Sequence, residues 1–126
     1  MSEHSITLIT TPTQMAEQIA TTLVEENLAT CVSIMEKVRS IYRWQGQMEK
    51  TEEALLLAKG MTDKTEALIA RIREIHPYEI PEVICFPITT GNQDYLEWLS
   101  GKEVVIDETA FDDEELEESE EEAEDK

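Results

Sequence analysis

The chain has 126 residues, of which 40% are hydrophobic and 31% are charged, and its formal net charge is −19 at pH 7. This length suits one domain with a core of its own. The acidic balance argues against binding to nucleic acid or to anionic membrane surfaces, because both need basic patches.

The negative charge is concentrated at the C-terminus. Residues 107–126 contain 13 acids and one lysine, a net charge of −12, whereas residues 1–106 contain 16 acids and nine basic residues, a net charge of −7. Few apolar groups and strong self-repulsion predict that this acidic tail, residues 107–126, is disordered. The folded domain is therefore expected to span residues 1–106.

Cysteine usage and hydropathy bear on the compartment. Cys31 and Cys85 are too few for a disulfide framework, and neither belongs to a C-x-x-C pair. The first ten residues lack the basic and apolar segments of a signal peptide, and no apolar run approaches the roughly 18 residues that a membrane helix needs. These features predict a soluble, cytoplasmic protein.

The first part of the chain predicts a strand followed by a helix. Ser5–Thr11 is rich in β-branched residues and is predicted as the strand. Thr11 is expected to cap the helix, with Pro12 in its first helical position. Asn27 is a suitable left-handed stop for that helix. His4 falls in an N-terminus that is expected to be frayed.

The middle of the chain predicts two long strands, over residues 30–44 and 48–58. Gln45-Gly46 supplies the turn between them, and Glu36-Lys37 is expected to interrupt the first strand. Beyond that interruption, alternate residues are predicted to share one face of the hairpin: Val38, Ser40, Tyr42 and Trp44.

The length of this hairpin predicts an oligomer. Each arm of about 14 residues would reach roughly 45 Å, whereas a domain of about 100 residues has a radius of gyration near 13 Å. The far end carries Ile41, Tyr42, Trp44 and Met48, which a monomer would leave exposed. Another copy of the chain is the simplest cover for them.

A second helix and a further strand are predicted next. Thr62-Asp63 is expected to open the helix. Pro77 disfavours helical geometry at the preceding residue, so the helix is expected to end at His76. Val83–Phe86 is predicted as a strand.

The C-terminal elements complete the predicted fold. Asn92 is expected to cap a short helix that stops at Gly101, and Val104-Val105-Ile106 is predicted as a last strand. The order of elements is β-α-β-β-α-β with a short C-terminal helix. This order predicts an α/β (α+β) subunit with the ferredoxin-like split-βαβ arrangement.

Five segments resemble the CutA family, the divalent-cation tolerance proteins, in their order and spacing: LVEENLATCVSI, SIYRWQGQMEK, EALLLAK, IHPYEIPEV and NQDYLEWL. The resemblance covers roughly Ile6 to Leu99. It implies a ferredoxin-like subunit that forms a tight homotrimer through its long strands. It also implies a link to tolerance of copper and other divalent cations, with copper(II) bound by some members.

Two departures bear on copper. Members for which copper binding is claimed use a cysteine in the first strand and adjacent histidines at the close of the second helix. Here residues 6–10 of the first strand contain no cysteine, and Ile75-His76 offers one histidine where two would stand. Of the copper ligands used by those members, only the histidine at His76 is present in this sequence. The Glu36-Lys37 pair also replaces a proline-glycine pair that is common in the family.

His76 has two interpretations from its position. A neutral imidazole there is able to bind copper(II), helped by Glu79 or by Glu82, of which we take Glu82 as the second ligand. The same residue follows the last turn of a helix, where an imidazolium is favoured by exposed carbonyls. The sequence therefore leaves a weak metal site and a purely structural corner both open.

Aromatic residues supply the other candidate positions. We expect four of them to lie at a trimer interface or in a cleft between subunits: Tyr42, Trp44, Tyr78 and Trp98. The sequence has no G-x-S-x-G, phosphate-binding loop, dinucleotide fingerprint or H-E-x-x-H, so we do not expect an enzyme. The competing hypothesis is a regulator, similar in shape to PII-type signalling proteins, that binds a small molecule or an anion in inter-subunit clefts.

Overall fold

The computed structural model describes residues 2–102. The described elements are, in chain order, β1 (His4–Thr11), α1 (Ala16–Glu25), β2 (Cys31–Trp44), β3 (Gln47–Met61), α2 (Thr65–Ile75), β4 (Val83–Pro87) and α3 (Gln93–Leu99). The predicted disorder of the acidic tail and the predicted strand at residues 104–106 concern positions outside the described residues.

The four strands form one sheet in the order β2-β3-β1-β4, and every neighbouring pair is antiparallel. This topology confirms the predicted ferredoxin-like α+β subunit. Helices α1 and α2 cover one face of the sheet, where Ile9, Leu23, Leu56 and Ile72 are completely buried. Each such side chain contributes about 1.5–3 kcal/mol by leaving water.

Both long helices begin differently from the prediction. Each is preceded by a short 3₁₀ turn, and neither has a side-chain cap. Thr11 is paired with Ala54 in the sheet, and its hydroxyl donates to the carbonyl oxygen of Pro12. The hydroxyl of Thr62 donates instead to the carbonyl oxygen of Ser2. The predicted caps were wrong because Thr11 still belongs to the sheet and the hydroxyl of Thr62 makes a long-range hydrogen bond, so neither side chain caps a helix.

The predicted ends of the helices are confirmed. Asn27 has a φ of 60°, and Gly101 has a φ of 87°. His76 is extended, with φ −76° and ψ 137°, directly before Pro77. Asn92 caps α3 by accepting a hydrogen bond from the backbone N–H of Asp94 at 3.0 Å. These positions follow from local chemistry, which explains why the sequence was sufficient.

The long hairpin also follows the prediction. Its register shifts between Met35 and Val38, and Lys37 has a φ of 62°. The turn has positive φ at both Gln45 (50°) and Gly46 (80°), as a type I′ turn requires. Because β1 pairs with β3 only over Ala54–Met61, no third strand from residues 2–102 lies beside the distal part of the hairpin.

The second face of the sheet has no complete cover within residues 2–102. Helix α3 reaches the end of this sheet face that carries His4, where Ser100 contacts that histidine. Along the rest of this face the strand registers align Leu8 with Leu57 and with Ile84. Ile84 is 44% exposed and Phe86 is 46% exposed. Residues 2–102 of one chain therefore leave an apolar sheet face without complete cover.

Candidate functional site at the base of the hairpin

The segment after α2 returns to the end of β1 and buries His76 there, with 7% of the residue exposed. Its Nε2 lies 2.7 Å from the carbonyl oxygen of Thr10, and its Nδ1 lies 3.1 Å from the backbone nitrogen of Tyr78. A carbonyl oxygen only accepts, so Nε2 carries the proton and donates. Nδ1 then accepts from the N–H of Tyr78. Both ring nitrogens therefore hold the corner together.

Glu82 contacts Thr10, the residue of β1 whose carbonyl oxygen also accepts from His76. The hydroxyl of Thr10 donates to Oε1 of Glu82 at 3.3 Å, while the carbonyl oxygen of Thr10 accepts from His76. The structure thus places the two predicted metal ligands around one threonine. Glu79, the other carboxylate considered from the sequence, is exposed and makes no hydrogen bond within the described part of the chain.

A larger set of metal ligands is not found around this pair. Residues 2–102 contain no group of three or more histidine, cysteine, aspartate or glutamate side chains placed to hold a metal ion. The predicted role of His76 and Glu82 in copper binding stays a prediction.

Tyr78 forms a second polar contact at this corner. Its Oη donates to Oε2 of Glu53 at 2.8 Å, and its ring centroid lies 4.8 Å from that of His76. Although 37% of Tyr78 is exposed, partial desolvation is the main reason that the pKa of its phenol rises to about 12, and the hydrogen bond and charge of Glu53 raise this pKa further. The phenol is therefore held in its protonated, donating form.

Glu53 is a site residue that the sequence interpretation missed. It lies in β3, where the overhanging part of the hairpin joins the sheet, and it is only 5% exposed. A buried carboxylate in a strand requires donors. The only signal in the sequence is an acidic residue directly before the apolar run of residues 54–58.

Thr51 lies two residues before Glu53, on the same face of β3. Its Oγ1 is buried and has no hydrogen-bond partner within residues 2–102. Across the hairpin, Ser40 pairs with Thr51 and Val38 pairs with Glu53. This register confirms that the alternate residues from Val38 to Trp44 share one face.

Of the four predicted aromatic positions, residues 2–102 bring only Tyr42 and Tyr78 near each other. Tyr42 pairs with Glu49 on the face that carries Thr51 and Glu53, close enough to Tyr78 to help raise the pKa of its phenol. Trp44 lies at the hairpin tip and is 43% exposed. Trp98 lies in α3, against Tyr95 at a ring-centroid distance of 5.7 Å.

His4 was wrongly expected in a frayed terminus. It begins β1, pairs with Met61, and places Nε2 2.8 Å from Oγ of Ser100. That hydroxyl donates to the carbonyl oxygen of Leu96 at 3.1 Å, so the imidazole is the donor to the serine. In this arrangement the histidine does not accept the serine proton, as a general base would have to.

Sequence comparison identifies the family. The family model described as CutA1 divalent ion tolerance protein matches residues 5–102. The chain belongs to the CutA1 family. It is 46% identical over 97 residues to the divalent-cation tolerance protein CutA of Thermus thermophilus, covering 76% of this chain and 94% of that protein.

Other CutA1 proteins show the same likeness. The CutA homolog of Danio rerio is 41% identical over 98 residues, which span 77% of this chain but 65% of that longer protein. The solved structure of the Thermus thermophilus protein, titled divalent cation tolerance protein (Cut A1), superposes with a TM-score of 0.75 at 44% identity, covering 78% of this chain and 96% of that one. Within residues 2–102, no helix combines the length and apolar character needed to cross a membrane.

Proposed function

We propose that this CutA1 chain contributes to tolerance of divalent cations, copper(II) foremost, as a cytoplasmic homotrimer without catalytic activity. The observation that carries the proposal is the match of residues 5–102 to the CutA1 model, together with relatives named for divalent-cation tolerance. The direct test compares growth in raised copper for cells that lack the gene and for cells in which it is restored. Equal growth of both would contradict the tolerance role.

The homotrimer is supported by apolar surfaces that residues 2–102 of one chain leave uncovered. The second sheet face exposes Ile84 and Phe86, and the hairpin exposes Ile41 (66%) and Met48 (60%). Strands β2 and β4 are the two free edges of the sheet within residues 2–102. Because these two edges differ, a contact between β2 of one subunit and β4 of the next is head-to-tail. Such contacts close into a ring when the rotation between successive subunits divides a full turn evenly.

The assembly test is a measurement of mass. Light scattering after size exclusion is expected to give three times the 14.4 kDa of one chain. Phe86→Asp is expected to shift the mass towards the monomer, because it places a charge in a buried contact. The matched control is Ile80→Asp, at a residue that is 69% exposed in the loop before β4. A monomeric wild-type chain would refute the homotrimer.

Copper(II) binding at His76 and Glu82 is proposed to be weak. Copper(II) heads the affinity order for nitrogen and oxygen ligands, so it is the divalent ion that this pair would favour. The donor set fits only a weak site. To bind metal, Nδ1 of His76 must give up its hydrogen bond from Tyr78, and Glu82 its bond from Thr10. A cysteine in the first strand and a second histidine are absent from the sequence.

The copper test must separate this pair from the acidic tail. We would titrate copper(II) into the chain shortened after Thr109 and record electron paramagnetic resonance spectra. A nitrogen-coordinated signal that disappears in His76→Ala and weakens in Glu82→Gln would support the site. Glu79→Gln, in the same loop, is the matched control. Identical spectra for wild type and His76→Ala would reject His76 as a ligand.

The second candidate function is a regulator that binds a small molecule. The observation that favours it is the pair of buried polar groups at the hairpin base, Glu53 and Thr51, of which Thr51 has no partner within residues 2–102. A thermal-shift screen of metals against nucleotides, carboxylates and amines separates the two functions, since only a bound ligand raises the melting temperature.

A further inference from the structure

The hairpin base combines a buried carboxylate with a buried hydroxyl that lacks a hydrogen bond. Glu53 is 5% exposed, and the phenol of Tyr78 donates to its Oε2 at 2.8 Å. Glu53 forms no ion pair within residues 2–102. Oγ1 of Thr51 is buried without a partner in the same part of the chain. Burying such groups costs free energy unless donors satisfy them.

The two groups lie side by side. Residues two apart in a strand point to the same face, about 6.6 Å from each other along the strand. Both also lie next to the cross-strand residues Val38 and Ser40, neither of which donates to them. The carboxylate of Glu53 and the hydroxyl of Thr51 are therefore neighbours on one face of the hairpin base.

Two tyrosines lie near these groups. Tyr78 contacts the carboxylate through its hydroxyl, and Tyr42, on the same face of the hairpin, acts electrostatically on the phenol of Tyr78. Aromatic faces attract cations, and a carboxylate repels anions. One carboxylate and one hydroxyl fall short of the roughly six oxygen ligands that a hard metal ion takes. The chemistry here favours an organic cation over either a metal or an anion.

We propose that Glu53, Thr51, Tyr42 and Tyr78 form a binding site for a nitrogen cation that carries at least two N–H donors, an ammonium or guanidinium group. One N–H donates to the carboxylate of Glu53 and another to the hydroxyl of Thr51, while the tyrosine rings contact the cation. The regulator proposed above would therefore bind a cation at this site. From the sequence alone, the ligand considered was a small molecule or an anion.

The cation has two sources with the same chemistry. It is either a free small molecule or a lysine or arginine side chain of a second copy, and the latter rests on the proposed homotrimer. The chain has suitable donors on the opposite face of its hairpin, where Arg39, Arg43 and Lys50 make no ion pair within residues 2–102.

The experiment uses the full chain and two probes, agmatine for guanidinium and n-butylammonium for ammonium. Calorimetry is expected to show saturable binding of at least one probe. Glu53→Gln keeps the size and the bond from Tyr78 but removes the charge, so it is expected to weaken binding at least about tenfold. Thr51→Val is expected to weaken it less. Tetramethylammonium, which has no N–H donor, is expected to bind more weakly than n-butylammonium.

Glu52→Gln is the matched control, because Glu52 is the next residue of β3 and is exposed on the other face, opposite Arg39. If the cation comes from a second copy, the probes are not expected to bind. On dilution, the Glu53→Gln oligomer is then expected to dissociate at a higher protein concentration than the wild type, whereas the Glu52→Gln oligomer is not. Equal behaviour of both variants in calorimetry and on dilution would overturn the proposal. A monomeric wild type that binds agmatine through Glu53 would refute only the homotrimer.

Discussion

The imidazole of His76 donates from Nε2 to the carbonyl oxygen of Thr10 at 2.7 Å, across a separation of 66 residues in the chain. Its Nδ1 accepts from the backbone of Tyr78 at 3.1 Å. The ring thus joins the end of α2 to the end of β1 and fixes the turn that positions Tyr78 over Glu53. A residue first considered for its metal chemistry is also a structural connection.

We expect His76→Ala to lower the free energy of unfolding by about 2–4 kcal/mol, because it removes two buried hydrogen bonds and leaves a cavity. His76→Gln is expected to lose less, since its amide is able to donate to Thr10. Urea unfolding followed by circular dichroism measures both. Glu79→Ala is the exposed control and is expected to change stability by less than about 0.5 kcal/mol. Equal stability of His76→Ala and wild type would contradict the structural role.

Alkaline pH is expected to destabilise the protein through Tyr78. Its pKa is about 12 in the fold and about 10 in an unfolded chain. The folded state holds the phenol proton more tightly, so this contribution is complete below pH 10 and is lost as pH rises from about 10 to about 12. Urea midpoints measured over this range are expected to fall more steeply for wild type than for Tyr78→Phe. Parallel curves would show that Tyr78 does not contribute.

The strand irregularity offers a stabilising substitution. Lys37 has a φ of 62°, and a non-glycine residue in this left-handed region costs roughly 1 kcal/mol. Lys37→Gly is therefore expected to raise the free energy of unfolding by up to about 1 kcal/mol. Arg39→Gly, in the regular strand two residues later, is expected to lower it by a similar amount. Thermal unfolding of the two variants distinguishes a local effect of backbone geometry from a general effect of glycine.

Removal of the acidic tail is expected to leave the fold and the assembly unchanged. The composition of residues 107–126 provides few apolar groups for packing, so a chain ending at Thr109 should retain its melting temperature and oligomer mass. Its solubility near neutral pH is expected to fall, because most of the net charge is lost. Dissociation of the shortened chain would show that the tail packs on the assembly.

Local chemistry made several positions of the fold predictable. Asn27, Gly101 and the Gln45-Gly46 turn adopt the positive φ values that their sequence context favours. Pro77 ends α2 at His76 through a steric effect on its immediate neighbour. Alternation of side chains placed Tyr42 and Trp44 on one face of the hairpin. Each of these depends on interactions between residues close together in the chain.

The site depended on contacts that no local pattern contains. Glu53 accepts a hydrogen bond from Tyr78, which lies beyond α2 in the chain. The proton of His76 is on Nε2 because that nitrogen donates to the carbonyl oxygen of Thr10 in the first strand. Thr11 loses its predicted cap for the same reason, since the sheet already holds its backbone against Ala54. The sequence by itself determined where helices end and where the hairpin turns, because the dihedral preferences of a residue depend on its immediate neighbours. Tertiary structure decided which polar groups pair and which stay unpaired, because burial depends on segments far apart in the chain.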